Sequence, residues 1–394
     1  MAMIPVPLAS LSSDDGLLIG EIGAVLLFLG LASFIAAKLK FSPVPIFLVA
    51  GLALGNGGLV PLSLSDSFLD LGAQIGAILL LLLLGLEYTA GELIGTLKER
   101  RSLGFFDLIV NFIPGAVIAH FLGWGVVGVL ILGGITYVSS SGIATQFIKD
   151  AKWQKLESTK RAVAVLVVED LFLAPYLPIL SALTSGVALA TGLISISAAL
   201  VITGVVLIYS AKSGHIPHGP TLLGDSAALL LTVFGVALLA SGLATFIGFS
   251  GAVAAFLVGL LLTGDLAIVA RVRLAPLRDL FASIFFLFFG LSTNPADIIE
   301  VFIPALLLSI LGVSSKYLTA WWSVRGVDEP RAVTRAAVLL ISRGEFSLVI
   351  AGLAAATTFG ESLGALTITY VILTTLFASL ILRRECQREI IPHM

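Results

Sequence analysis

Six ionisable residues stand inside apolar runs, where an uncompensated charge costs several kcal/mol. Val165 to Pro175 reads VLVVEDLFLAP and sets Glu169 beside Asp170. Lys316 lies in LGVSSKYL, Arg343 and Glu345 in ISRGEF, and Asp107 in LGFFDLIVNF together with Asn111. A carboxyl group in apolar surroundings has two neutral forms, one holding a proton and one holding a cation. Adjacent carboxylates with a lysine in reach therefore point to proton and cation chemistry, or to a buried salt bridge. Glu169 is the better candidate for the salt bridge, and Lys316 supplies its partner. Arg343 and Glu345 read as mainly structural, pairing with each other or compensating helix ends. Asp107 falls close enough to a span end to be a boundary residue, and its role stays open.

The elements that position these residues follow from composition. Only 12% of the 394 residues are Asp, Glu, Lys or Arg, against roughly 25% in soluble domains. Hydrophobic residues make up 58%, and mean hydropathy is +1.11. A water-soluble enzyme, a disordered chain, a coiled coil and a nucleic-acid binder are excluded. The single cysteine, Cys386, excludes an intrachain disulfide framework or a cysteine metal cluster. The pattern predicts an all-α polytopic membrane protein. A span needs about 20 apolar residues. Thirteen candidate spans lie near 17–37, 43–56, 67–90, 103–122, 125–148, 159–184, 187–210, 224–246, 250–263, 276–292, 299–322, 331–356 and 363–384. With that count, 20 of the 22 Lys and Arg residues fall in or beside loops of one side. The positive-inside rule then sets residues 1–16 outside, the tail 385–394 in the cytoplasm, and the chain in the cell membrane. The remaining two cations are Lys316 and Arg343. No signal peptide is expected, since Asp14 and Asp15 precede the first span and no Lys or Arg does.

The chain contains itself twice. FLVAGLALG at Phe47–Gly55 stands against FLVGLLLTG at Phe256–Gly264. LLLLLGLE at Leu80–Glu87 stands against FFLFFGLS at Phe285–Ser292, and Ser140-Ser141-Gly142 against Ser342-Arg343-Gly344. These anchors pair Gly51 with Gly259 and Gly85 with Gly290. Spans 1–6 (17–184) and 8–13 (224–384) form the copies, and residues 185–223 supply span 7 and its loop. An odd offset of seven spans makes the repeat inverted, a common transporter architecture. The fifth span of each copy is interrupted, at Ser139-Ser140-Ser141-Gly142 and at Ser342-Arg343-Gly344-Glu345. Ser and Gly are poor helix residues, and matched breaks predict two discontinuous helices crossing near the midplane.

Other chemistries are set aside. Ser139–Gly142 has no mid-span histidine to act as base, since His120, His215, His218 and His393 fall at span ends or in loops. His215 and His218 have no cysteine partner, Asp265 sits at a loop edge, and no phosphate-cradling glycine loop is present. No enzyme activity, no cofactor and no metal beyond a transported ion are expected.

Two inverted six-helix repeats, paired interrupted helices and an acidic pair in the span after the first break resemble the cation:proton antiporter-2 family, which includes NapA-type sodium antiporters and Kef-type potassium systems. The resemblance covers essentially the whole chain. It implies the NhaA/NapA-like fold, a core of spans 4–6 and 11–13 that moves against a dimerising scaffold, and a homodimer. It makes Asp170 the ion- and proton-binding aspartate and Glu169 the variable residue before it. Lys316 becomes the lysine that pairs with that acid, and Ser140–Gly142 and Ser342–Gly344 become the crossing points. Glu-Asp is none of the family's commonest pairs. No Kef-type nucleotide-binding domain is expected, and regulation is expected to be absent or to come from a separate cytoplasmic subunit.

The implied function is secondary active exchange of a monovalent cation for H⁺ by alternating access, serving pH homeostasis, with both ions competing at Asp170. K⁺ is favoured over Na⁺ because Arg343-Gly344-Glu345-Phe346 resembles the potassium branch. A gated Kef-type potassium channel is the alternative, and a sodium-coupled organic-anion symporter ranks below it.

Overall fold

The computed structural model describes residues 13–39, 41–55, 57–58, 66–87, 90–184, 226–246, 250–262 and 264–390. Every regular element among them is helical. In chain order they are α1 (Ser13–Leu39), α2 (Val44–Leu54), α3 (Asp66–Glu87), α4 (Ala90–Phe121), α5 (Gly125–Tyr137), α6 (Ser141–Ala151) and α7 (Glu157–Thr184). There follow α8 (Ser226–Phe246), α9 (Gly251–Leu261), α10 (Gly264–Leu291), α11 (Pro295–Ser323), α12 (Ala332–Ile341), α13 (Glu345–Leu353) and α14 (Gly360–Ile390). Lipid offers no hydrogen bonds, so each apolar run satisfies its own backbone as helix. Counting α5–α6 and α12–α13 as one crossing each, nine described helices are long and apolar enough to span a membrane. The shorter apolar helices α2, α3 and α9 match three further expected spans. The seventh expected span, 187–210, lies outside the described residues, as do His215 and His218.

Both expected breaks are present. α5 stops at Tyr137, Val138 to Ser140 run extended, and α6 starts at Ser141. α12 stops at Ile341, Ser342 is extended, and α13 starts at Glu345. The two non-helical segments meet, with the Ser140 N–H donating to the Ser342 carbonyl at 2.9 Å. Gly344 permits this approach: a β-carbon there would lie 2.7 Å from Ser140 Oγ.

The repeat shows in which glycines touch. Gly51 of α2 packs on the backbone of Leu287 and Gly290 in α10, and Gly85 of α3 packs on that of Phe256 and Gly259 in α9. Exchanging Gly51 for Gly259 and Gly85 for Gly290 converts one contact into the other, as a two-fold relation between the copies requires. These backbone-to-backbone contacts knit α2, α3, α9 and α10 into a scaffold, joined by α8. The helices α4–α7 and α11–α14 form the second bundle, whose centre is the crossing.

A cavity of about 950 Å³ opens between the two bundles. Gln74 and Ile78 of α3, Ser181 and Thr184 at the end of α7, Phe285 and Phe289 of α10, and Asn294, Asp297 and Glu361 near helix starts line it. Those ends are opposite to the ends that carry the Lys- and Arg-rich loops. On the latter face, the Glu329 carboxylate accepts from the N–H groups of Glu157 and Ser158 at 2.6 and 3.2 Å, so the loop before α12 caps α7.

Candidate functional site

The crossing leaves four helix ends inside the bundle, each with unpaired backbone groups. At the C-terminal ends of α5 and α12 the guanidinium of Arg343 spans the gap. It donates to the Leu340, Ile341 and Thr136 carbonyls at 2.9, 3.1 and 2.8 Å, and to Ser139 Oγ at 3.4 Å. Ser347 Oγ covers the Ile135 carbonyl at 3.1 Å, and Ser139 Oγ donates to the Leu340 carbonyl at 2.7 Å. A positive group thus sits where two negative dipole ends meet. At the N-terminal ends of α6 and α13 the signs reverse. Ser140 Oγ accepts from the Ile143 N–H at 3.2 Å and donates to Glu345 Oε2 at 2.8 Å. Ser141 and Gly142 form the first turn of α6 beside that carboxylate. Arg343 and Glu345 therefore serve opposite pairs of helix ends, which is the capping option of the sequence reading.

Glu169 and Asp170 lie midway along α7 and are buried. The Ser139 N–H, in the break, donates to Glu169 Oε2, and Ser139 Oγ lies 3.2 Å from Oε1. Lys316 Nζ lies 2.9 Å from Glu169 Oε1 and 3.2 Å from Asp107 Oδ1. All three side chains have no solvent exposure. The ion pair between Glu169 and Lys316 is thus in place, and a second carboxylate shares the same ammonium. The Tyr137 ring lies below it, 5.6 Å from Nζ to the centroid. Neither Glu169, Asp170 nor Lys316 lines the cavity, so the site is enclosed in this state.

Asp107 belongs to the site and not to a helix end. α4 and α11 run side by side, and their polar residues recur every helical turn. Asn111 Nδ2 donates to Asp107 Oδ1 at 2.8 Å and to Thr319 Oγ1 at 3.0 Å, and Ser315 Oγ donates to Asn111 Oδ1 at 2.8 Å. Thr319 Oγ1 donates to Asp107 Oδ1 at 2.9 Å. Ser315 and Thr319 went unnoticed in the sequence. Their four-residue spacing about Lys316, matching that of Asp107 and Asn111, was the available signal.

Comparison with known proteins agrees with this geometry. The chain is 28% identical over 380 residues to the K(+)/H(+) antiporter subunit KhtU of Bacillus subtilis, covering 93% of each chain. It is 29% identical over 350 residues to the ammonium/H(+) antiporter subunit AmhT of Alkalihalophilus pseudofirmus, covering 84% of this chain and 85% of that one. The glutathione-regulated potassium-efflux system protein KefC of Klebsiella pneumoniae is 28% identical over 355 residues, which is 84% of this chain and 54% of KefC. The structure of the sodium proton antiporter MjNhaP1 of Methanocaldococcus jannaschii at pH 8 matches with a TM-score of 0.66 at 20% identity, over 92% of this chain and 99% of that one. That likeness speaks for the fold. Residues 23–386 match the family described as sodium/hydrogen exchanger, transmembrane. An enclosed acidic pair on crossed, broken helices, carried by a multi-pass chain with these relatives, leads to one conclusion: the protein belongs to the sodium/hydrogen exchanger family of cation:proton antiporters, in its cation:proton antiporter-2 branch.

Proposed function

We propose that the chain exchanges K⁺, in preference to Na⁺, for H⁺ by alternating access, with both ions competing at Asp170. The observation that carries this reading is the enclosed cluster at the crossing, where Lys316 already neutralises Glu169 and buried Asp170 is the next residue of α7. Asp170 is a buried carboxylate next to Glu169, and a proton or a dehydrated cation neutralises it there. A carrier whose site must be filled before it crosses exchanges one ion for the other. Carbonyls and hydroxyls of the break, from Ser139 onwards, complete the cation's oxygen shell, and Glu169 and Lys316 separate and rejoin as ions arrive. K⁺ is favoured because the relatives named above include a K(+)/H(+) antiporter subunit and a potassium-efflux protein.

The moving body is the bundle of α4–α7 and α11–α14, and the scaffold carries a homodimer contact. Thirteen spans, with 187–210 as the seventh and the first and second repeats at 17–184 and 224–384, set the N-terminus outside and the tail in the cytoplasm. A separate regulatory chain fits the word subunit in two of the relatives' names.

The test is proton flux in everted vesicles lacking other antiporters. K⁺, Na⁺ and Li⁺ are added in turn, with Asp170→Asn as the blank. Cation-triggered proton release, largest for K⁺ and absent from the blank, is expected with the variant still present at wild-type level. Normal exchange by Asp170→Asn ends the competition reading. Cation flux down its gradient without proton movement replaces it with a Kef-type channel.

A further inference from the structure

The cluster holds more acid than its lysine can neutralise. Asp107 and Glu169 share Lys316, and Asp170 follows Glu169 on α7, while Arg343 is committed to the carbonyl ends of α5 and α12 and Glu345 to the opposite ends. One cation or proton at Asp170 leaves two carboxylates and one ammonium. Enclosed in the membrane, that excess negative charge calls for a second proton.

The hydrogen bonds say where it goes. Both oxygens of Glu169 already accept, Oε2 from the Ser139 N–H and Oε1 from Lys316. A proton added there would face a donor. Asp107 is lopsided: Oδ1 accepts from Asn111, Thr319 and Lys316, whereas Oδ2 is buried and meets no hydrogen-bond donor among the described residues. Protonation at Oδ2 leaves the bonds from Asn111 and Thr319 to Oδ1 intact and weakens the hold on Lys316. It also frees Lys316 to pair with Glu169 alone.

We propose that Asp107 is a second proton-binding carboxylate of the exchanger, taking a proton on Oδ2 and thereby deciding whether Lys316 serves one carboxylate or two. The charged and titratable groups around it are Tyr137 on α5, Glu169 and Asp170 on α7, Lys316 on α11 and, beyond Glu169, Arg343 at the break. Asp107 touches none of the groups assigned to the cation itself. It acts on the exchange through charge. An ionised Asp107 adds a negative charge to the enclosed cluster, while a protonated one removes it.

This rests on the exchange reading, so the experiment has a readout that does not depend on transport. Asp107 and Asp170 are the two buried aspartates among the described residues. Isotope-edited infrared difference spectra of the purified full-length chain carrying [¹³C]aspartate are recorded as pH rises. In the Asp170→Asn background, a protonated-carboxyl C=O band that shifts with the label and fades at high pH is expected. Its absence at every pH overturns the proposal, whether or not any Asp107 variant folds.

In proteoliposomes, K⁺-driven proton release by Asp107→Asn is followed as a function of pH. Its pH profile moves towards acid by on the order of one unit, because the amide cannot ionise. An unmoved profile overturns the proposal and leaves Asp107 as a hydrogen-bond acceptor. If the Asp170→Asn protein shows the infrared band and wild type shows no exchange, the exchange reading fails and the proton site stands.

Discussion

Lys316 is the residue on which the buried charges depend. Removing it leaves Asp107 and Glu169 facing one another in a site without water-exposed surface, and breaking a buried pair costs about 3–5 kcal/mol. Removing one carboxylate as well takes away part of that penalty. Lys316→Met should therefore lower the melting temperature sharply. The double variant Lys316→Met with Glu169→Gln should lose less than the sum of the single changes, with a coupling of about 1–3 kcal/mol. Melting curves of the four proteins measure it, and strict additivity would show that the pair contributes nothing. Glu169 and Asp170 were legible as midplane acids from the distance along α7, and Lys316 as the partner of Glu169 from its distance to Arg325. Asp107 was not. Its meaning lies in the adjacency of α4 and α11, across 209 positions of sequence, which no local pattern encodes.

At the scale of elements, the breaks in α5–α6 and α12–α13 were readable because Ser and Gly at matched repeat positions signal loss of helix twice over. What holds the broken pieces in place was only half readable. The signs of Arg343 and Glu345 fitted helix ends, but which ends depended on the crossing itself. The cap on α7 was invisible in sequence, since Glu329 belongs to the other repeat. Partial burial raises the proton affinity of its carboxyl group, but hydrogen bonds from Ser158 and Glu157 and the charge of Arg335 outweigh this and hold it below the ordinary glutamate value. A carboxylate held low stabilises the fold above the ordinary value of about 4.3 and loses that contribution as pH falls through its own folded value. Glu329→Gln should lower the melting temperature at pH 7 by on the order of 2 °C, as loss of a capping charge does. The gap should close as pH falls below about 4. A gap independent of pH would assign the effect to packing.

For the whole molecule, the two bundles differ in how they are made. The scaffold meets backbone to backbone at Gly51, Gly85, Gly259 and Gly290, with no side chain to slide or repack. The transport bundle is held by polar links at its crossing, and one contact between the bundles is a single hydrogen bond from the Ser250 N–H to Ser181 Oγ at 3.0 Å. That difference fits the proposed movement of one bundle against the other. The repeat in the sequence announced it, whereas the connector between the copies lies outside the described residues.

The cavity of about 950 Å³ has an electrical consequence. Water filling it carries the potential of the solution on its side part of the way into the bilayer. The transmembrane voltage then falls across the thinner dry layer that holds Lys316, Glu169 and Asp107, so the field there is steeper than across an unbroken membrane. A full charge crossing that layer senses about 2.3 kcal/mol per 100 mV, and a partial displacement of Lys316 senses a fraction of it. Even an exchange that moves no net charge per cycle acquires a rate that depends on voltage. Exchange in proteoliposomes clamped by ionophore diffusion potentials should change speed with the sign of the potential while its end point stays fixed; a rate blind to voltage would mean that no charge moves within the dry layer.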